Sequence, residues 1–211
     1  MAIPSERIKR LQIMFMSMGE PLLNPHVYKA LRDLHAFYPN AELLVSTIAP
    51  CVPFDRLMEV SEEIKEVGLQ FSIHASTDAM RNRLIPFRKK LALSEIANLG
   101  ALWRRRTGRV PFINYIATEE NDSAADAKRL AALFPPDAWC ATVSVLCTTD
   151  GQAKDGDANR ATLFANMLAS LGFSSRVFNP AGQDTIGGGC GQLWFVQVWM
   201  GKRSSKKESA C

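Results

Sequence analysis

Cysteine is scarce and scattered. The 211 residues hold five, at positions 51, 140, 147, 190 and 211, and the nearest pair, Cys140 and Cys147, stands seven positions apart. So sparse and odd a count does not make a disulfide framework, and a reducing cytoplasm is its simplest setting. Iron–sulfur clusters need thiolates at close, defined spacing, and no such run exists here. Long hydrophobic runs are also missing. No segment approaches the roughly 20 apolar residues that cross a bilayer, and Met1 to Arg10 lacks the charged-then-apolar order of a secretory signal, so no membrane partner is expected. No repeat of a few tens of residues is visible, which argues against a solenoid. Strong charge of one sign is lacking as well. A net charge of +4 permits an RNA partner without requiring one.

What is present describes an ordinary globular chain, with 47% hydrophobic and 22% charged residues. That length suits one domain with a proper core, here expected over 1–201. The remaining 202–211, beginning Lys202-Arg203-Ser204-Ser205-Lys206-Lys207, reads as a basic disordered tail able to touch phosphate nonspecifically.

One stretch organises the rest: Met14-Phe15-Met16-Ser17-Met18-Gly19-Glu20-Pro21-Leu22-Leu23-Asn24. Leu11 to Met16 is an almost unbroken apolar run, interrupted by Gln12, as expected of a strand buried on both faces of a parallel sheet. Gly19 is conformationally free, and Glu20 stands at the carboxyl end of the strand, where α/β sheets meet their ligands. A carboxylate there can accept charge-assisted hydrogen bonds from an ammonium group; the plain alternative is a turn whose Glu faces water.

Helical and strand patterns then alternate. A helix from Pro25 places Val27, Leu31, Leu34 and Phe37 on one face. Glu42 to Ser46 is strand-like. A helix from Phe54 to Val67 is expected to stop at Gly68, before a strand from Leu69 to His74. Helices at Ser94–Arg106, Ser123–Phe134 and Ala158–Leu171 separate strands at Val110–Ala117, Trp139–Leu146, Ser174–Phe178 and Leu193–Met200. Such alternation makes repeated β-α-β units with a parallel sheet. Six or seven strands are too few for an eight-fold barrel, leaving a curved partial barrel or an open sheet.

Candidate site residues sit at strand ends. Ser46 offers a hydroxyl to a ligand or caps its own turn. Ser72 and His74 share a face by strand alternation, with Ile73 between them. Arg81 and Pro86 read as a surface turn followed by a breaker. Gly187-Gly188-Gly189-Cys190-Gly191-Gln192 surrounds one thiol with glycine; it is either a thiol that must travel or a mobile connector. Arg88-Lys89-Lys90, with Arg104-Arg105-Arg106 and Arg109, are either an RNA-facing group or solvated helix faces.

These segments together resemble the radical S-adenosylmethionine (SAM) enzymes that methylate adenine carbon 2 in 23S ribosomal RNA and some tRNAs. MSMGEPLLN is similar to that family's MGMGEPLLN. FSIHA at Phe71–Ala75 resembles its SLHA, Arg81 and Pro86 fall at its R and P, and Glu120-Asn121-Asp122-Ser123 resembles its V-N-D-S. Gly182-Gln183-Asp184 and Cys190-Gly191-Gln192-Leu193 resemble its carboxyl-terminal G-x-D and C-G-Q-L. The resemblance implies an incomplete parallel (βα) partial barrel of the radical-SAM type. It also implies that Gly19 and Glu20 hold the SAM amino group, that Ser46, Ser72, Ile73, His74 and Thr149 line its pocket, and that Cys190 carries the methyl group. SAM and a 4Fe-4S cluster are the implied cofactors, and 23S rRNA, with some tRNAs, the implied partner.

The chain departs from that family where its cluster is bound. The family's C-x3-C-x2-C run has no counterpart among these cysteines, so no metal ligands are assigned. Val143–Thr149 replaces I-N-L-I-P-Y-N, leaving Thr149 in place of an Asn; Asn114 stands where Glu is usual, and Ser17 replaces a glycine. The expectation is the carboxyl part of a longer enzyme, with the first barrel strand missing, inactive alone in radical chemistry and prone to self-association through an exposed sheet edge. The alternatives are a remnant that binds SAM or RNA without turnover, and an unrelated SAM- or nucleotide-binding α/β enzyme.

Overall fold

A computed structural model of the chain describes residues 10–16, 19–146 and 155–179. The expected strand at 193–200, the tail at 202–211, Thr149 and the glycine-rich loop with Cys190 lie outside the described residues.

Six strands form one sheet in the order β1-β2-β3-β4-β5-β6, every neighbouring pair parallel. They are β1 (Gln12–Phe15), β2 (Glu42–Thr47), β3 (Val67–Ser72), β4 (Phe112–Ile116), β5 (Cys140–Ser144) and β6 (Ser174–Phe178). The connecting helices are α1 (Val27–Phe37), α2 (Asp55–Glu63), α3 (Asp78–Leu84), α4 (Leu93–Thr107), α5 (Ala124–Leu133) and α6 (Asp155–Ser170). Sequential order with parallel pairing is what repeated right-handed β-α-β units produce, and the result is half of a barrel.

Side-chain alternation divides the strands by parity. Leu43, Val45, Leu69, Phe71, Ile113, Tyr115, Ala141 and Val143 belong to the hydrophobic core together with Leu31, Leu57, Trp103, Leu130 and Phe164 from the helices. The even positions Ser46, Gln70, Ser72, Asn114, Thr142 and Ser144 face the other way and are joined across strands. Gln70 Nε2 donates to Ser46 Oγ at 3.2 Å, Ser144 Oγ donates to Asn114 Oδ1 at 2.7 Å, and Arg176 Nε donates to Thr142 Oγ1 at 3.1 Å. Buried polar groups need such partners, and this polar inner face is the side on which a ligand can be received.

Several local expectations are corrected. β1 is not buried on both faces: it is an edge of the described sheet and each of its residues is half-buried. Gly68 does not cap α2. Ile64 leaves helical geometry at φ −117°, and Gly68 lies inside β3, paired with Leu44; an added Cβ would meet Leu44 Cδ1 at 3.2 Å. Phe37 is off the buried face of α1, with 77% exposure, and Tyr28 packs there instead. β3 ends at Ser72, so His74 lies just beyond the strand and takes a left-handed conformation, φ 51°.

Candidate functional site

Glu20 does not face water. It follows Gly19, whose φ of 79° turns the chain sharply where a side chain would be strained. It then caps the short 3-10 turn Pro21–Leu23, accepting from Leu22 N–H at 3.1 Å. From the last residue of β2, Thr47 Oγ1 donates to the same oxygen, Oε1, at 2.6 Å, and just beyond the strand Ile48 N–H donates to Oε2 at 2.8 Å. An ionised carboxylate offers about four acceptor positions. Three are filled from the protein, which fixes the carboxylate's plane and leaves Oε2 with capacity for another donor.

Thr47 also settles what Ser46 does. The turn after β2 is closed by Ala49 N–H donating to Thr47 Oγ1 at 2.9 Å, so Ser46 is not the cap. Its hydroxyl accepts from Gln70 and stands 3.4 Å from Ser72 Oγ.

His74 is fixed from two sides. Its Nδ1 accepts from Ile116 N–H at 3.2 Å and its carbonyl accepts from Asn121 Nδ2 at 2.9 Å. An Nδ1 that accepts carries no proton, so the neutral ring has its hydrogen on Nε2. Burial lowers the His74 pKa to about 4, with the Arg81 guanidinium adding to the effect. At neutral pH the imidazole is therefore an uncharged donor through Nε2.

Arg81 is not on the surface. It is 1% exposed, and its guanidinium donates to the Leu91 carbonyl and the Ile48 carbonyl, each at 2.7 Å. Burial lowers its pKa, and Nε has no hydrogen-bond partner among the described residues. The same side chain thus holds Ile48, whose N–H holds Glu20. Helix α3 ends at Leu84, two residues before Pro86, as a proline there requires.

The rims of β1 to β6 meet at a cavity of about 290 Å³. Gly19, Glu20, Ser46, Ser72 and His74, separated by up to 55 positions in sequence, all line it, joined by Asn114 and Ser144. Ile73 does not: its side chain is fully buried in the core and its N–H donates to the Asn114 carbonyl. Thr149 and Cys190 lie outside the described residues. Sequence reasoning had not assigned Thr47, Ile48, Ser144 or Asn121 to the site; the even-position polar residues of β2 to β5 were the available signal for Ser144. The chemistry of this lining suits a ligand with an ammonium group for Glu20 and hydroxyl or ring acceptors for the serines and His74.

The described thiols are arranged differently. Cys51 lies in the loop after β2, whereas Cys140 opens β5 at the opposite end of the sheet. No group of three His, Cys, Asp or Glu side chains is gathered for a metal among the described residues. These cysteines do not fit an iron–sulfur cluster.

No protein-family model matches the chain. Individual proteins do. A probable dual-specificity RNA methyltransferase RlmN from Thermotoga sp. (strain RQ2) is 31% identical over 196 residues, covering 92% of this chain and 57% of that protein. A ribosomal RNA large subunit methyltransferase Cfr from Lachnoclostridium phytofermentans is 30% identical, covering 86% and 55%. The crystal structure of a radical SAM methyltransferase from Sphaerobacter thermophilus superposes with a TM-score of 0.72 at 28% identity, over 86% of this chain and 54% of that one. The chain spans little more than half the length of the relatives it matches.

Proposed function

The chain belongs to the radical SAM methyltransferase family of RlmN and Cfr, and from that premise we propose that its cavity binds SAM in the service of methyl transfer to carbon 2 of an adenine in 23S rRNA, and in tRNA. The observation that carries the proposal is the convergence of Gly19, Glu20, Ser46, Ser72 and His74 on one cavity from three separate strand ends. In this reading Glu20 accepts from the SAM amino group with its remaining acceptor capacity. Ser46 and Ser72 meet oxygen atoms of the ligand, and His74 donates from Nε2. Ile73, buried in the core outside the cavity lining, spaces Ser72 and His74, and Thr149 contributes through its hydroxyl. SAM, when bound, supplies an electrophilic methyl group on a sulfonium.

Cys190 is the proposed methyl carrier. Its thiolate sulfur would form a bond to the methyl carbon as the carbon–sulfonium bond breaks, the thiol proton having left to solvent beforehand. No step of this proposal runs through an iron–sulfur cluster, which the described cysteines do not fit. A cytosolic setting accords with free thiols, and no described helix is long and apolar enough to cross a membrane.

A second reading, a module that holds SAM or RNA without turnover, is favoured by one observation: no two of the five cysteines lie closer than seven positions. Titration calorimetry with SAM, followed by mass spectrometry of the peptide holding Cys190, tests both. Heat of binding and a methyl mass on Cys190 are the expected result. Heat without the methyl mass leaves the binding module, and a folded chain that gives no heat overturns SAM binding altogether.

A further inference from the structure

From Ala79 to Leu91 the sequence carries Arg81, Arg83, Arg88, Lys89 and Lys90 and no Asp or Glu. The structure gives these cations different surroundings. Arg81 is buried against two carbonyls, Arg83 is paired with Glu120, and Lys90 Nζ donates to Asn82 Oδ1 at 2.6 Å and to the Phe87 carbonyl at 2.9 Å. The side chains of Arg88 and Lys89 are exposed and make no hydrogen bond or ion pair among the described residues. Two charges are left free where their neighbours are all engaged.

The backbone beneath them is anything but free. Cys51 N–H donates to the Lys89 carbonyl at 2.8 Å, Leu91 N–H donates to the Ala49 carbonyl at 2.9 Å, and Pro50 and Lys90 form an antiparallel bridge. Arg81 clamps the Leu91 and Ile48 carbonyls together. The 48–51 loop is the same one whose Ile48 lines the cavity and donates to Glu20. Lys89 is therefore carried on backbone tied to the loop that supplies Ile48 to the cavity, with Arg88 next to it in the chain. A second arginine pair, with Arg105 exposed and Arg104 half-buried, differs in place. Arg104 and Arg105 lie in the last turn of α4, which hands over to the amino end of β4, at the far end of the sheet.

We propose that Arg88 and Lys89 are the phosphate-contacting part of an RNA surface at the cavity mouth, and that the Arg104–Arg109 group takes no part in it. The inference rests on the RNA reading above and adds which face the RNA meets. Contacts of this kind position a nucleic acid without reading its sequence. Fixed backbone lowers the ordering cost of each contact, while two unpaired side chains have no ion pair to break.

The test is fluorescence anisotropy with a fluorescein-labelled, adenine-containing single-stranded RNA, titrated across a series of KCl concentrations. Three forms of the chain are compared: the unaltered one, Arg88→Gln/Lys89→Gln, and Arg104→Gln/Arg105→Gln. The two variants lose the same charge, so bulk electrostatics are matched, and unchanged melting temperatures show that both fold. Removing two phosphate contacts on a single strand is expected to reduce the magnitude of the slope of log K against log salt by about 1.4 in the rim variant and to leave the far-end variant unaltered. An unchanged slope in the rim variant, or an equal loss in both, overturns this inference while RNA binding stands. A folded chain that binds no RNA even at low salt overturns the RNA reading and this surface with it.

Discussion

Asn121 holds His74 in place without touching its ring. Asn121 Nδ2 donates to the His74 carbonyl at 2.9 Å and to the Ile116 carbonyl at 3.0 Å, while Ile116 N–H donates back to His74 Nδ1 at 3.2 Å. The amide is itself engaged on its other side, Oδ1 accepting from Thr118 N–H at 2.6 Å, and the Asn121 carbonyl accepts from Tyr115 OH at 2.6 Å. A left-handed residue that is not glycine costs on the order of 1–3 kcal/mol and persists only when its surroundings over-determine it. Asn121 is that surrounding, at 1% exposure.

Asn121→Ala should accordingly be expensive. It strips the partners from two carbonyls and one N–H in the interior, and each orphaned group costs about 1–3 kcal/mol, partly relieved by relaxation. A loss of about 2–4 kcal/mol in urea-denaturation stability is expected on that basis. A midpoint within error of the parent chain would show that His74 holds its conformation unaided.

Protonation of His74 links stability to pH. The folded pKa of about 4 lies below the ordinary 6.5, so between those values the unfolded chain takes up a proton that the folded chain refuses. The His74 contribution therefore falls as pH drops from about 6.5 to about 4 and levels below that. The ceiling is about 3 kcal/mol, from 2.5 units at 1.36 each, reduced because the cavity side of the ring meets solvent. The carboxylates whose pKa is held down, Glu42 by Arg10 and Asp126 by Ser123, Ser76 and Arg129 against the opposing effect of burial, lose their contributions only below their ordinary values of 4.5 and 3.8, so the window from 6.5 to 4.5 belongs to His74. Denaturation midpoints across that window should slope, and His74→Gln should flatten the slope. A parent chain with no slope there would refute the buried neutral imidazole.

The alternation of helix and strand was legible because local periodicity sets it: β6 falls at Ser174–Phe178, where the apolar pattern puts it. The gathering of Glu20, Ser46, Ser72 and His74 was legible only through the resemblance, since nothing local says that strand ends distant in sequence meet. What escaped notice depends on long-range partners. Arg81 looks like a surface residue because the carbonyls that bury it belong to Ile48 and Leu91, on two separate loops. Ser46 looks like a cap because Gln70, its real partner, lies 24 positions away. Gly68 looks like a helix stop because a glycine after an apolar run fits a C-cap as well as a strand packed under Leu44.

Packing of the outer layer gives a sharper stability test. A Cβ placed on Gly100, in α4, would sit 2.1 Å from Trp139 Cη2 and 2.2 Å from its Cζ2. Trp139 is 1% exposed and packs edge-on against Phe134, ring centroids 4.9 Å apart, so the ring has nowhere to retreat. Gly100→Ala gains helix propensity of about 1 kcal/mol but forces overpacking of about 1–3 kcal/mol or more. Net destabilisation and a lower melting temperature are expected. A more stable variant would mean that the indole can shift.

The edge strand β1 leads to a prediction about association. On its outer side Met14, Phe15 and Met16 line an open groove with Val27 and Ala30 of α1, and no described strand pairs there. Unpaired edges with apolar flanks recruit further strands. Sedimentation velocity should show mass rising with concentration, and Phe15→Lys should suppress it. A monodisperse monomer across the concentration range would count against this edge as a contact.

Glu20→Gln separates the carboxylate's structural work from its proposed ligand contact. Both oxygens already accept, Oε1 from Leu22 N–H and Thr47 Oγ1 and Oε2 from Ile48 N–H. An amide has only one acceptor oxygen, so either Ile48 N–H or Leu22 N–H must face an NH2 group. The loss of that hydrogen bond is expected to cost about 1–3 kcal/mol with no ligand present. If Glu20 also receives the SAM ammonium, calorimetry on the folded variant should show binding weakened by at least the factor of about ten that 1.4 kcal/mol represents, because a charge-assisted bond has become a neutral or repulsive contact. Stability lost with SAM affinity intact would confine Glu20 to holding the 48–51 loop. Affinity lost with stability intact would mean that the three protein donors are weaker partners than their 2.6–3.1 Å distances indicate.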